Sequence, residues 1–289
     1  MEFRELREED LGSEAWFGKI ELRPDRWRDE HTRSAVAVET GKPIAAGIIW
    51  TSRIHPDRYW IDIVVDPSRR RHGIGTAMFG HLTNLRHDDL PFKTRGYVDE
   101  QRMAFANALG ARTIQVVPPA LIDVSGRVVL RPHHAVGPGG SVSWAKLLEA
   151  NASIYEWIHH SWSPVAPGFA GELNLGLEDH LDLDATSVAV DRSGRIRAAA
   201  MAYRAADTPV VTAESVAPDD PAGERLVEGC IRATLDTFAE RGISEVEFDG
   251  HVSDPHFLPV WARLRPDGRW LRLVEIPPAG DHGGDRWTP

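Results

Sequence analysis

The chain of 289 residues is 42% hydrophobic, 26% charged and 8% aromatic, and its formal net charge is −10. That balance excludes a wholly disordered, collagen-like or fibrous chain, and at ~150 residues per domain it predicts about two domains, each able to bury a core. The acidic charge argues against nucleic acid as a main partner, the single cysteine (Cys230) excludes an internal disulfide and any multi-cysteine metal site, and no apolar run reaches the ~18–20 residues of a membrane helix.

The opening residues, MEFRELREEDLGSEAW, are charged throughout and lack the apolar stretch of a secretory signal, so a cytoplasmic protein with no membrane partner is expected. Lys19, Lys42, Lys93 and Lys146 are the lysines among 33 basic residues, a bias that reads as GC-rich bacterial codon usage and not as a binding signal. In chain order, residues 32–39 read as a strand, Thr40-Gly41-Lys42-Pro43 as a turn, and residues 44–50 as a second strand. Residues 59–65 (YWIDIVV), rich in β-branched and aromatic side chains, form a third. Met78, Phe79, Leu82 and Leu85 give residues 76–86 helical spacing, and residues 99–109 repeat the pattern up to Gly110, a C-cap residue. Residues 111–117 return to strand.

Residues 132–143 (PHHAVGPGGSVS) read as a linker. Beyond them the spacing predicts a helix over 144–162, a strand–turn–strand over 187–203, a strand over 212–216, a long helix over 223–241, a strand over 244–248 and a helix over 255–264. The halves repeat each other. SAVAVETGKPIAAGIIW aligns with SVAVDRSGRIRAAAMAY, Val65-Asp66-Pro67 with Val216-Ala217-Pro218, Asp99 with Asp254 and Leu109 with Leu264. A repeat this long indicates duplicated domains.

The stretch that carries chemistry is strand, Arg70-Arg71-His72-Gly73-Ile74-Gly75, helix. Glycines let backbone approach a ligand, the first amides of a helix lack intrahelical partners, and the helix dipole favours an anion such as a pyrophosphate. Arg69, Arg70 and Arg71 add positive charge at the mouth. The dinucleotide fingerprint fits poorly because Met78 stands where its third small residue belongs, and no Walker lysine follows.

Val65-x-Pro67-x-x-Arg70-x-x-Gly73-x-Gly75 closely resembles the acyl-coenzyme A signature of the GNAT superfamily of N-acyltransferases. Residues 99–111 resemble that superfamily's second motif. The resemblance spans essentially the whole chain as a tandem pair, an arrangement shared with mycothiol synthase-like proteins. It implies an α/β fold (α+β, mixed sheet) in two tandem GNAT-fold domains, the second degenerate: 1–131 for the acyl donor, 132–143 as linker and 144–289 as the degenerate domain. It further implies an acyltransferase that moves an acyl group from a pantetheine thioester to an amine of a small metabolite by direct attack. Acyl-coenzyme A is then a co-substrate, and no metal is expected.

Residue by residue, the resemblance implies that Ile63, Val64 and Val65 offer strand backbone to the pantetheine arm. It implies that Arg70, Arg71, His72, Gly73, Ile74, Gly75 and Thr76 hold the pyrophosphate. Asp62 falls where relatives carry an acid that helps deprotonate the amine; an Asp with the ordinary pKa of ~3.9 acts there through water. The residues themselves also allow Asp62 to be a solvent-facing member of the Ile61-Asp62-Ile63 alternation. Where many relatives place a thiolate-protonating tyrosine this chain has Ala106, and Phe105 beside it has no proton to donate. In the second half Asp219-Asp220-Pro221 replaces the anion loop, so no donor is expected there. Trp261 stands at the tyrosine position of that half and reads as core. Glu149 and Glu156 read as solvated, and Trp16, Trp27, Trp50 and Trp60 as core or interface aromatics in segments that line the acceptor pocket in relatives. The adjacent pairs His133-His134 and His159-His160 are expected to diverge, which disfavours a shared metal. Three alternatives stay open: an acyl carrier protein whose phosphopantetheine supplies the acyl group, a non-catalytic acyl-coenzyme A module, and a protein-modifying acetyltransferase.

Overall fold

Alternating apolar and polar side chains build the first half around one twisted sheet. The computed structural model describes residues 1–205 and 207–277. In chain order its first elements are β1 (Glu2–Glu5), β2 (Arg33–Glu39), β3 (Lys42–Thr51), β4 (Tyr59–Val65), α1 (Ile74–Leu85), β5 (Phe92–Tyr97), α2 (Gln101–Ala108), β6 (Arg112–Val117) and β7 (Leu121–Asp123). They continue as β8 (Val136–Pro138), α3 (Trp144–His159), α4 (Phe169–Leu173), α5 (Leu177–His180), β9 (Ser187–Val190), β10 (Ile196–Tyr203) and β11 (Val210–Ser215). The last are α6 (Gly223–Glu240), β12 (Glu245–Phe248), α7 (Phe257–Arg263) and β13 (Leu271–Ile276). β1 to β6 with α1 and α2 therefore recur as β8 to β13 with α6 and α7, as the internal repeat predicts.

The first sheet has the order β1-β2-β3-β4-β5-β13-β6 and the second β7-β12-β11-β10-β9-β8. Among the described residues the chain forms two compact units, one of Met1–Thr94, Ala104–Arg112 and residues 274–277, the other of Arg95–Met103 and Thr113–Leu273. Residues 132–143 fall within the second of these units. That stretch carries β8, which pairs with β9, and its Gly137 and Pro138 are tolerated because β8 is an edge strand. The units also interleave in sequence, since β7 joins β12 while β13 joins the first sheet. Residues 278–289 of the expected second domain lie outside the described residues.

Each sheet buries both faces. In the second unit α6 turns Leu226, Val227, Cys230, Ile231, Leu235 and Phe238 against alanine-rich β10 and β11, while α3 covers the other face with Leu147, Ile154 and Ile158. In the first, Val64 packs with Leu6, Phe17, Val36 and Ala46 on one face. The feature that positions the site is a parting of strands. β4 pairs with antiparallel β3 along its whole length, but meets parallel β5 only at Tyr59↔Phe92 and Trp60↔Lys93. β11 and β12 part likewise after Val210↔Glu247 and Val211↔Phe248.

Candidate functional site

After β4 the chain makes a sharp, self-supported turn. Asp66 accepts hydrogen bonds from the amide and hydroxyl of Ser68, each at 2.8 Å, and Pro67–Arg69 form one 3-10 turn. Arg71 takes φ +65° and Gly73 φ +77°, a left-handed pair that reverses the chain into α1. No side chain caps α1, so the amides of its first turn stay open to a ligand. A methyl group placed on Gly75 would stand 3.5 Å from the Phe105 ring and 3.7 Å from Val65, ordinary contacts that leave the loop undistorted. Arg71, His72, Gly73 and Thr76 are exposed, Arg70 and Gly75 are half-buried, and Ile74 turns inward. The three arginines are not equivalent: Arg69 is held by Glu39 at 2.6 Å, Arg70 Nε donates to the Val65 carbonyl at 3.3 Å, and Arg71 makes no ion pair among the described residues.

The two faces of β4 do different work. Ile61, Ile63 and Val65 alternate toward the α1 side, where Val65 reaches Gly75. Trp60, Asp62 and Val64 share the other face, on which Trp50 and Trp60 stack at 6.2 Å. Asp62 is half-buried, not a fully solvated strand residue, and pairs in register with Ile48. Beyond Trp60 the β5-side edge of Ile61, Asp62, Ile63 and Val64 has no strand partner among the described residues.

One residue here escapes sequence reasoning. Lys93, on β5 opposite Trp60, is 2% exposed, with Nζ 4.9 Å from the centre of the Trp60 ring. It has no hydrogen bond or ion pair among the described residues. Burial pushes its ammonium down to about 8, against the attraction of Asp57. The available signal was rarity, since Lys93 is one of four lysines in the chain.

The corresponding turn of the second half is filled by its own side chains. Asp220 Oδ1 accepts the Ala222 amide at 2.9 Å, and Oδ2 accepts from Arg197 Nε at 2.9 Å. His256 lies over Gly223, where any Cβ would come within 2.3 Å of the ring, and its Nδ1 is 2.6 Å from Ser215 Oγ. A carboxylate thus stands where an anion would bind. Nearby, Glu214 is 7% exposed, with Oε1 3.9 Å from His251 Nδ1; His251 Nδ1 and Asp254 Oδ2 are buried without hydrogen-bond partners. Burial pushes the Glu214 carboxyl up to about 7.

Other candidates resolve simply. The rings of His133 and His134 stack at 4.6 Å instead of diverging, whereas His159 is buried and His160 exposed. Among the described residues one group, His31, His87 and Asp88, brings ligand-type atoms within 4.8 Å, and its members already hydrogen-bond one another or Tyr59. Trp261 packs on the core with Nε1 donating to the Pro119 carbonyl at 2.9 Å. Trp16 is part of the first-unit core and Trp27 is 42% exposed. Glu149 and Glu156 are exposed. A cavity of about 350 Å³ in the second unit is lined by Lys146, Arg195 and Arg197, but each is bound, to the Gly194 carbonyl, Asp191 and Asp220 respectively.

Residues 2–88 match the model of the acetyltransferase (GNAT) family. The chain is similar to a GCN5-related N-acetyltransferase from Sphaerobacter thermophilus, with 14% identity, TM-score 0.61, and 85% of this chain and 81% of that one covered. It is similar along its length to a tandem GNAT protein from the clavulanic acid biosynthesis pathway, with 16% identity, TM-score 0.58, and 96% and 99% covered. A GCN5-related glucosamine N-acetyltransferase region of a fungal multi-domain β-N-acetylglucosaminidase gives 16% identity and TM-score 0.60, covering 94% of this chain and 38% of that one. No curated protein matches the chain. The family match covers residues 2–88, and the fold along the whole chain is shared with a tandem GNAT protein. Among the described residues no helix is long and apolar enough to cross a membrane.

Proposed function

We propose that the first half binds acyl-coenzyme A and transfers its acyl group to an amine of a small metabolite. The pantetheine arm lies along the open edge of Ile63, Val64 and Val65, and the pyrophosphate meets the amides and charges of residues Arg70, Arg71, His72, Gly73, Ile74, Gly75 and Thr76. The observation that carries this reading is the parting of β5 from β4 after Trp60, one strand's length from an uncapped helix start. In the transfer the amine nitrogen attacks the thioester carbonyl carbon, the C–S bond breaks, and the nitrogen's proton passes toward Asp62, directly or through water.

The second half contributes no donor site, because the Asp220 carboxylate, bound to the Ala222 amide and Arg197, and the His256 ring over Gly223 occupy the corresponding turn. Calorimetric titration with coenzyme A is therefore expected to give one site per chain; two sites would contradict this assignment. With a responsive amine, Asp62→Asn is expected to lower kcat, the deficit shrinking as pH rises and free amine accumulates, while donor affinity holds. Equal rates for both enzymes at every pH would return Asp62 to a structural role. Exposed, unpaired Arg71 also suits the acidic surface of an acyl carrier protein. Offering acetyl-carrier protein beside acetyl-coenzyme A in the same assay separates the two donors.

A further inference from the structure

A thioester releases its sulfur as a thiolate, and this chain has Ala106 and Phe105 where a proton donor is expected on α2. The parting strands place another group at their junction. Lys93 lies on β5 in the last residue pair before β4 and β5 separate, on the face that Trp60 shares with Asp62. The open edge of β4, five residues from Ile61 to Val65, spans ~16 Å, the scale of an extended pantetheine arm. An arm whose pyrophosphate sits at the α1 start beyond Val65 runs back along that edge and brings its sulfur toward the junction.

We propose that Lys93 presents its ammonium to the departing sulfur and protonates it. The proposal rests on the donor reading above. As the acceptor nitrogen bonds to the carbonyl carbon, the C–S electron pair stays on sulfur, Lys93 Nζ gives that sulfur a proton, and the coenzyme leaves as a thiol. The acceptor nitrogen loses one proton to Asp62 or water, and neutral Lys93 regains one from solvent, so one proton moves in net from nitrogen to sulfur.

The surroundings suit the task. A buried ammonium set against an aromatic face is a strong donor, and its value of about 8 lies close to the ~8.5 of an ordinary thiol. The charged groups around it are Asp57, which favours the ammonium, Arg58, which opposes it and is itself bound to Glu275 on β13 at 2.6 Å, and Asp62 on the same face of β4.

The test needs no acceptor. Coenzyme A is bound to the intact protein, its uptake measured by calorimetry at pH 6, and the ionisation of its thiol followed by thiolate absorbance as pH rises. In wild type the bound thiol is expected to ionise about one unit or more below the free value. Lys93→Met should return it to the free value without abolishing uptake, and Lys93→Arg should keep it lowered. A bound thiol that titrates as in solution, or one still lowered in Lys93→Met, overturns the inference while leaving the donor site standing. Failure of wild type to take up coenzyme A removes the donor reading, and this inference falls with it.

Discussion

Gly75→Ala is expected to leave the fold as stable as wild type or slightly more so, while weakening coenzyme A binding at least as much as Arg70→Ala. The added methyl meets only the Phe105 ring and Val65 at ordinary distances, and alanine in a helix's first turn is favoured over glycine by ~0.5–1 kcal/mol. The same methyl sits on the helix start whose amides the pyrophosphate is proposed to reach. Arg70→Ala should cost about 1.5–3 kcal/mol, the range for a hydrogen bond to a charged group, or roughly ten- to a hundredfold in affinity. Gly73 makes a poorer probe, because φ +77° strains any side chain there whether or not a ligand binds. Thermal melts and calorimetry on the same samples separate the two effects. Unchanged affinity in both variants would remove the pyrophosphate from this loop.

Much of this was legible in the chain itself. YWIDIVV followed by an arginine–glycine turn and an apolar helical stripe predicts β4, the loop and α1 almost to the residue, because each depends on local pattern. The duplication was legible for the same reason. What stayed hidden depends on tertiary pairing. β5 (FKTRGY) mixes Lys93 and Arg95 into a short strand, so neither its existence nor its parting from β4 could be read from periodicity. The destinations of β7 and β13 are choices between two sheets that no local signal makes. Asp219 and Asp220 were readable as hostile to phosphate, but the fold adds that Asp220 is held by the Ala222 amide and Arg197. Lys93 looked like any lysine until burial and Trp60 gave it a distinct environment.

The second half should register pH through Glu214. This acid interrupts the otherwise uncharged β11, is 7% exposed, and faces His251, with Asp249 and Asp254 adding negative charge. Burial raises it from 4.5 to about 7, so between those values the folded chain keeps a proton that the unfolded chain has lost. Stability contributed by the group is therefore greatest below pH 4.5, falls through the window, and is lost above about 7. Burial alone would lower the His251 pKa, yet Glu214 beside it holds the imidazolium above its usual value. The two groups titrate as one coupled pair, because the attraction that holds the His251 proton exists only when Glu214 is ionised. Glu214→Gln keeps the shape and removes the ionisation. Its gain over wild type at pH 8 is expected to be about 1–3 kcal/mol, the upper figure being the full displacement and the lower allowing for lost attraction to His251. At pH 5, where wild-type Glu214 is itself protonated in the fold, the variants should differ little. Denaturant unfolding of both proteins at pH 5 and pH 8 measures the difference directly. Parallel curves, with the same gap at both pH values, would mean that Glu214 titrates like an exposed glutamate and that its surroundings exert no such pressure.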